Sequence, residues 1–245
     1  MKLKTMIEDQ HRLNNEVYEF AEKMQLSNNI LSPIVDGVCD LQSYLNSKVK
    51  VMWVLKEPYD TFDDELGLKC PNGGGWSLLE DVFQSKERAS KNKTLQYVIY
   101  PMYGLFNDLH YREMDYIRDC PEMAIALQQI AFINISKMPG LTTSKDKQIR
   151  SYYEIWKPIL FKQIELYEPN VIIFGNTYKF FKKDLEAQGA YQIDNVTIKK
   201  TNFINVFQLG ETYLLDAYHP NVRKKKCYYV DSIIDTINKY LTCVR

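Results

Sequence analysis

Two rhythms alternate along the chain: short, dense apolar runs, and longer stretches in which apolar residues recur every three or four positions. Met6, Leu13, Val17, Phe20 and Met24 share such spacing between residues 5 and 25, which predicts a helix. A loop about Ser32 and Pro33 and a short helix to about Asn46 follow. Residues 49–55 read VKVMWVL, the composition of a strand covered on both faces. The run breaks at Glu57-Pro58, and the segment on to Gly75 is rich in Asp, Gly and Pro, which is loop chemistry. Helical patterns return at 76–83, 95–109 and 122–129, then a second apolar run at 130–135 stops before Ser136. A long amphipathic helix is predicted over 144–167, a third short strand over 171–174 and a helix over 177–186. Residues 196–207 are less regular and hold one strand or a hairpin. A last strand at 212–218 ends at His219-Pro220, and a helix over 227–241 follows.

Strands alternating with helices specify a parallel sheet covered on both faces. Ligands bind such sheets beyond the carboxyl ends of the strands. Glu57, Asn134, Gly175 and His219 all fall at predicted strand exits, so four exits can converge on one crevice.

Composition narrows the class. A chain of 245 residues can bury one good-sized core, and one domain is the default count. With 45% hydrophobic and 25% charged residues it has ordinary globular proportions. The formal net charge is zero, so the whole-molecule field does not announce a polyanion, and a nucleic-acid role would need a local basic patch. The five cysteines lack any C-x-x-C spacing, which suggests neither a zinc site nor a disulfide framework but thiols of a reducing compartment. The first ten residues are charged and unlike a signal peptide. No window approaches the roughly 18 uninterrupted apolar residues of a membrane span. A soluble, cytoplasmic monomer is the expectation.

The strand exits carry chemistry. Glu57 supplies a carboxylate beside a proline that fixes the local backbone. Asn134 offers a donor and an acceptor on one amide edge, the geometry that reads a pyrimidine. His219 is likewise followed by a proline. A carboxylate, an amide and an imidazole can position water, read a base and stabilise a leaving anion. Each also has a plainer reading: an acidic turn, a satisfied buried amide, a structural His-Pro. The run Arg223, Lys224, Lys225, Lys226 reads equally as a solvated helix start, although cations there oppose the helix dipole.

Five segments occur in order: Leu55-Lys56-Glu57-Pro58-Tyr59-Asp60, Gly75-Trp76-Ser77, Phe132-Ile133-Asn134-Ile135 with its continuation to Gly140, Val171 to Asn176, and His219-Pro220-Asn221. Together they resemble the uracil-DNA glycosylase superfamily. The first is similar to its GQDPYH motif and the last to its HPS motif, and the likeness spans roughly residues 49–241. The resemblance implies a three-layer α/β/α fold with a central four-stranded parallel sheet. It implies one domain over 1–245, with residues 1 to about 47 as an N-terminal helical extension. It implies a monofunctional DNA glycosylase of base-excision repair that flips uracil or a related damaged base out of DNA and hydrolyses its N-glycosidic bond. Glu57 would orient water and His219 would bind the departing base as a neutral imidazole. Lys56, Tyr59, Trp76 and Asn134 would line the substrate site, with Tyr59 excluding the thymine methyl and Trp76 stacking on the base for about 1–3 kcal/mol. Lys137, Arg223, Lys224, Lys225 and Lys226 would contact DNA phosphates. No metal or cofactor is implied, because the cysteine spacing does not match the family's four-cysteine iron–sulfur pattern. The chain departs from the motifs at Lys56, Glu57, Asp60 and Asn221. Two alternatives stand beside hydrolysis of DNA: a nucleic-acid or nucleotide-binding module without activity, and an enzyme acting on a free nucleoside or nucleotide.

Overall fold

A computed structural model describes residues 2–27, 31–63, 69–71, 73–141 and 143–241. Its strands are β1 (Gly37–Val38), β2 (Val51–Leu55), β3 (Thr61–Asp63), β4 (Lys69–Pro71), β5 (Ala131–Asn134), β6 (Val171–Gly175), β7 (Tyr191–Ile198), β8 (Thr201–Leu209) and β9 (Thr212–Ala217). Every residue of β2, β5 and β6 is buried, as uninterrupted apolar runs demand when successive side chains point to opposite faces. Val51, Trp53 and Leu55 enter one core, and Met52 and Val54 the other.

The main sheet has seven strands in the order β1-β5-β2-β6-β9-β8-β7. It is mixed, and larger than the four parallel strands expected. Parallel pairing joins β5 to β2, β2 to β6 and β6 to β9, while β1, β8 and β7 add antiparallel strands at the two edges. The irregular stretch at 196–207 is the heart of the β7–β8 hairpin, and β7 is exposed enough to lack a dense apolar signature. The segment read as loop from Glu57 to Gly75 also contains a two-stranded ribbon, β3 with β4.

Helices cover both faces. Helices α1 (Lys2–Lys23), α2 (Leu41–Asn46), α5 (Asp146–Tyr167) and α6 (Tyr178–Ala187) bury one apolar side against Met52, Val54, Ile133 and Phe174. Helices α3 (Lys86–Lys91), α4 (Lys93–Asn107) and α7 (Lys226–Leu241), with short helical turns at Leu78–Phe83 and Pro121–Gln129, pack on the other face. The first helix belongs to the core: Met6, Leu13, Val17 and Ala21 are buried with α5, and the Phe20 ring lies 5.3 Å from that of Trp156. Among the described residues no helix is long and apolar enough to cross a membrane.

One polar network is sealed between these layers. Asp36, Lys137 and Gln163 are all buried, the lysine completely. The Lys137 ammonium donates to Asp36 Oδ1 at 2.7 Å, to the Asn134 carbonyl at 2.9 Å and to Gln163 Oε1 at 2.7 Å, which uses all three of its protons. Gln163 Nε2 donates back to Asp36 Oδ1 at 2.9 Å, and the Asn134 N–H donates to Asp36 Oδ2 at 2.8 Å. Burial drives the lysine pKa down and Asp36 opposes it. The network ties the segment before β1, the exit of β5 and α5 to one point. Lys137→Met should cost about 3–5 kcal/mol, because it leaves Asp36 buried without its partner. Urea unfolding measures the loss, and a cost below about 1 kcal/mol would contradict this role for the pair.

Candidate functional site

The four parallel strands end side by side. Leu55 is in register with Asn134, and Gly175 with Ala217, so Asn134, Lys56-Glu57, Asn176 and Tyr218-His219 leave one sheet edge in that order. The first two exit loops are joined past the strands. Ile135 and Ser136 donate their N–H groups to the carbonyls of Leu55 and Lys56, both at 2.9 Å. Further along, the Gly140 N–H reaches Pro58 O at 2.9 Å and the Asp60 N–H reaches Gly140 O at 3.1 Å.

This pairing brings Glu57 onto Gly140. A β-carbon at residue 140 would lie 2.5 Å from both Cγ and Cδ of Glu57, so any larger residue there would push the Glu57 side chain out of its present position. The Ser144 hydroxyl donates to Glu57 Oε1 at 2.5 Å. Burial raises the Glu57 pKa, against opposing effects of the Ser144 bond and the Lys56 charge. Glu57 also lines a cavity of about 200 Å³ whose other walls include Leu26, Met138, Leu141 and Tyr152. Its carboxylate is thus a poorly solvated base with one oxygen held. Among the described residues, no hydrogen bond engages the other.

His219 reaches the same edge by a second close approach. A β-carbon on Gly175 would collide with Leu55 Cδ2 and lie 3.0 Å from Pro220 Cδ, so the bare β6 exit is what lets His219-Pro220 settle there. The Asn221 N–H donates to His219 Nδ1 at 3.1 Å. That nitrogen is therefore the acceptor, and the neutral ring carries its proton on Nε2. Burial, and then the Lys56 charge, lower its pKa to about 4. Lys56 itself is only 15% exposed along its side chain and reaches Asp146 Oδ1 at 3.2 Å; Lys179 shares that carboxylate.

The remaining expected substrate residues are arranged less uniformly. Asn134 is buried, and its Nδ2 makes a long 3.4 Å contact with Asp36 Oδ2. Among the described residues no hydrogen bond engages its Oδ1. Trp76 is held by its indole N–H, which donates to Asp60 Oδ2 at 3.1 Å, while the Gly74 N–H donates to the same oxygen at 2.9 Å. Asp60, standing where the motif has histidine, thus ties the glycine loop to the Glu57 loop. Trp76 also lines a larger groove against α1, with Tyr18, Asp40 and Glu80. Tyr59 is 57% exposed, and its backbone is bridged to Gly140.

The expected DNA-contacting cations divide. Lys137 offers no surface to a phosphate, because the buried network consumes its ammonium. Lys226 is turned inward, its Nζ 4.9 and 5.0 Å from the ring centres of Tyr97 and Tyr100 and 3.4 Å from Gln96 Oε1, and burial lowers its pKa. Arg223 and Lys225 are exposed and Lys224 is half-buried.

Sequence reasoning assigned no role to Ser144, Gly140 or Asp36, and marked Asp60 only as a departure from the motif. A serine opening a predicted helix and a glycine closing a Met-Pro-Gly turn are the visible signs of the first two. Nothing local marks Asp36. Among the described residues no group of three or more His, Cys, Asp or Glu side chains is placed to hold a metal ion. No protein-family model matches the chain, and comparison with curated proteins finds no match.

The electrostatics give a pH prediction. Unfolded, His219 protonates near pH 6.5; folded, only near about 4. Between these values the unfolded chain binds more protons, so the stability due to the neutral ring rises with pH and is complete above 6.5. His219→Gln should flatten the stability profile across that window by about 3 kcal/mol, and the His219 ring should titrate by NMR near its depressed value. A midpoint near 6.5 would show a solvated imidazole instead.

Proposed function

We propose that the carboxyl edge of the sheet binds an extruded base of DNA, uracil or a related damaged base, and hydrolyses its N-glycosidic bond. The observation that carries the reading is a neutral His219, whose Nε2–H has no hydrogen-bond partner among the described residues, at the same sheet edge as a desolvated Glu57 carboxylate two strand exits away. The polar edge of the base faces the Asn134 amide. As the bond from the sugar carbon to the base nitrogen breaks, its electron pair leaves with the base. Negative charge then grows on a base oxygen, where the His219 Nε2–H stabilises it. Glu57, fixed through Oε1 by Ser144, accepts a proton from water as the water oxygen bonds to the sugar carbon. The base anion takes up a proton on release, and an abasic sugar remains. Burial suits each group to its part: a carboxylate with a raised pKa is a better base, and an imidazole that stays neutral keeps its donor.

A second reading, a nucleic-acid or nucleotide-binding module without chemistry, is favoured by Lys56. Its ammonium stands where the motif has glutamine and acts on both Glu57 and His219, which suits a bound phosphate as well as a base. Uracil release from a uracil-containing oligonucleotide separates the two. Glu57→Gln should slow release by about 10²-fold or more while leaving affinity for the oligonucleotide nearly unchanged. His219→Ala should slow the same step by a similar order. If the unaltered protein releases nothing from U:G, U:A or single-stranded substrate, and spares hypoxanthine, the hydrolase reading fails. Salt-dependent binding without release would then select the binding module.

A further inference from the structure

The β7–β8 hairpin closes at Lys199-Lys200, between the paired residues Ile198 and Thr201. Both lysines have positive φ, +48° and +65°. A two-residue turn with φ positive at both positions is normally Asn-Gly, Asp-Gly or Gly-Gly; two side chains with a β-carbon are strained there. Because β8 runs antiparallel to β9, this turn lies at the edge where His219 leaves the sheet. Lys199 Nζ sits 5.2 Å from the ring centre of Tyr228, and Lys225 Nζ reaches the same ring at 5.9 Å. Lys224 Nζ lies 5.1 Å from the Tyr218 ring and 5.8 Å from that of Phe203. Two separate segments thus place Lys199 and Lys225 on one ring and Lys224 on two others, with Lys200 and Arg223 next to them in the chain, five cations in all. Among the described residues none of the five is ion-paired, whereas Lys157, Lys179, Lys182 and Lys239 each lie against a carboxylate. In a chain of zero net charge that is a strong local polarisation.

We infer that the hairpin tip and the loop after His219 form one cationic ledge that holds the phosphodiester backbone of the nucleic-acid strand whose base enters the His219 site. The inference rests on the proposal that DNA is the partner, and it adds Lys199 and Lys200 to the contact surface. The Lys199 and Lys225 ammonium groups share the Tyr228 ring, and Lys224 packs on Tyr218 and Phe203, so these three lose little side-chain freedom when a phosphate binds. The strained turn is the conformational cost of presenting two charges at that point.

The test uses fluorescein-labelled oligothymidylate, with binding followed by anisotropy across a range of salt concentrations. The variant Lys199→Asn/Lys200→Gly removes both charges and installs the turn pair that the backbone prefers. It should melt at the same or a higher temperature, while its log K against log salt slope becomes shallower by about 1.4, roughly 0.7 for each phosphate of a single strand left unneutralised. Lys199→Ala/Lys200→Ala should show the same change of slope. An unchanged slope in both variants, or no binding by the unaltered protein, overturns the ledge. Base release read on the same samples keeps the two proposals apart. Hairpin-dependent binding with no release supports the ledge while the hydrolase reading falls. Release from DNA with an unchanged slope and KM in the variants overturns the ledge and leaves the hydrolase.

Discussion

An ammonium group with no exposed surface has to be neutralised where it lies, and in this protein Asp36 does so for Lys137. Breaking such a pair costs about 3–5 kcal/mol, against a total stability of about 5–15 kcal/mol for a typical domain. What the pair holds explains why it matters. Lys137 sits in the loop that leaves β5, Asp36 precedes β1 and Gln163 belongs to α5. With those three fixed, the path from Ser136 to Gly140 is fixed, and with it the glycine against which Glu57 packs. The same carboxylate accepts the backbone N–H of Asn134. Two of the candidate site's side chains thus derive their positions from one buried charge pair that touches no substrate.

Lys56 organises the other half of the site through its charge. Beside Glu57 it counteracts burial and favours the ionised carboxylate; beside His219 it adds to burial and favours the neutral ring. One cation therefore pushes two groups toward opposite charge states, a negative base and an uncharged donor, which is how neighbouring groups acquire different roles. Asp146 holds that cation in place from the start of α5. Glutamine in the same position could not exert this influence, so Lys56 alters the electrostatics of the site as well as its shape.

The legible parts of the fold are those whose signal is local. Strands β2, β5 and β6 are buried on both faces and announce themselves as apolar runs, and their exits, with that of β9, place Asn134, Glu57 and His219 at one edge. The antiparallel edges are obscure because β1 has two residues and β7 is exposed along much of its length. Lys137 reads as a cation for phosphate because a lysine in a loop after a strand carries no local sign of burial; its partner lies 101 positions away. Lys226 misleads for a similar reason, since the tyrosines that enclose it come from another helix. The Lys199-Lys200 turn defies the usual hairpin chemistry, and nothing in the sequence brings Lys199 onto the ring that Lys225 shares.

On the proposed function, Asn134, Glu57 and His219 frame one base-binding site at the carboxyl edge of the sheet. A crystal structure of the protein with uracil bound tests it most directly. The polar edge of uracil should lie on the Asn134 amide, with one carbonyl oxygen within hydrogen-bond distance of His219 Nε2 and the Glu57 carboxyl facing the position of the sugar carbon. Uracil found only in the apolar cavity walled by Met138, Leu141 and Tyr152, with His219 and Asn134 untouched, would contradict it.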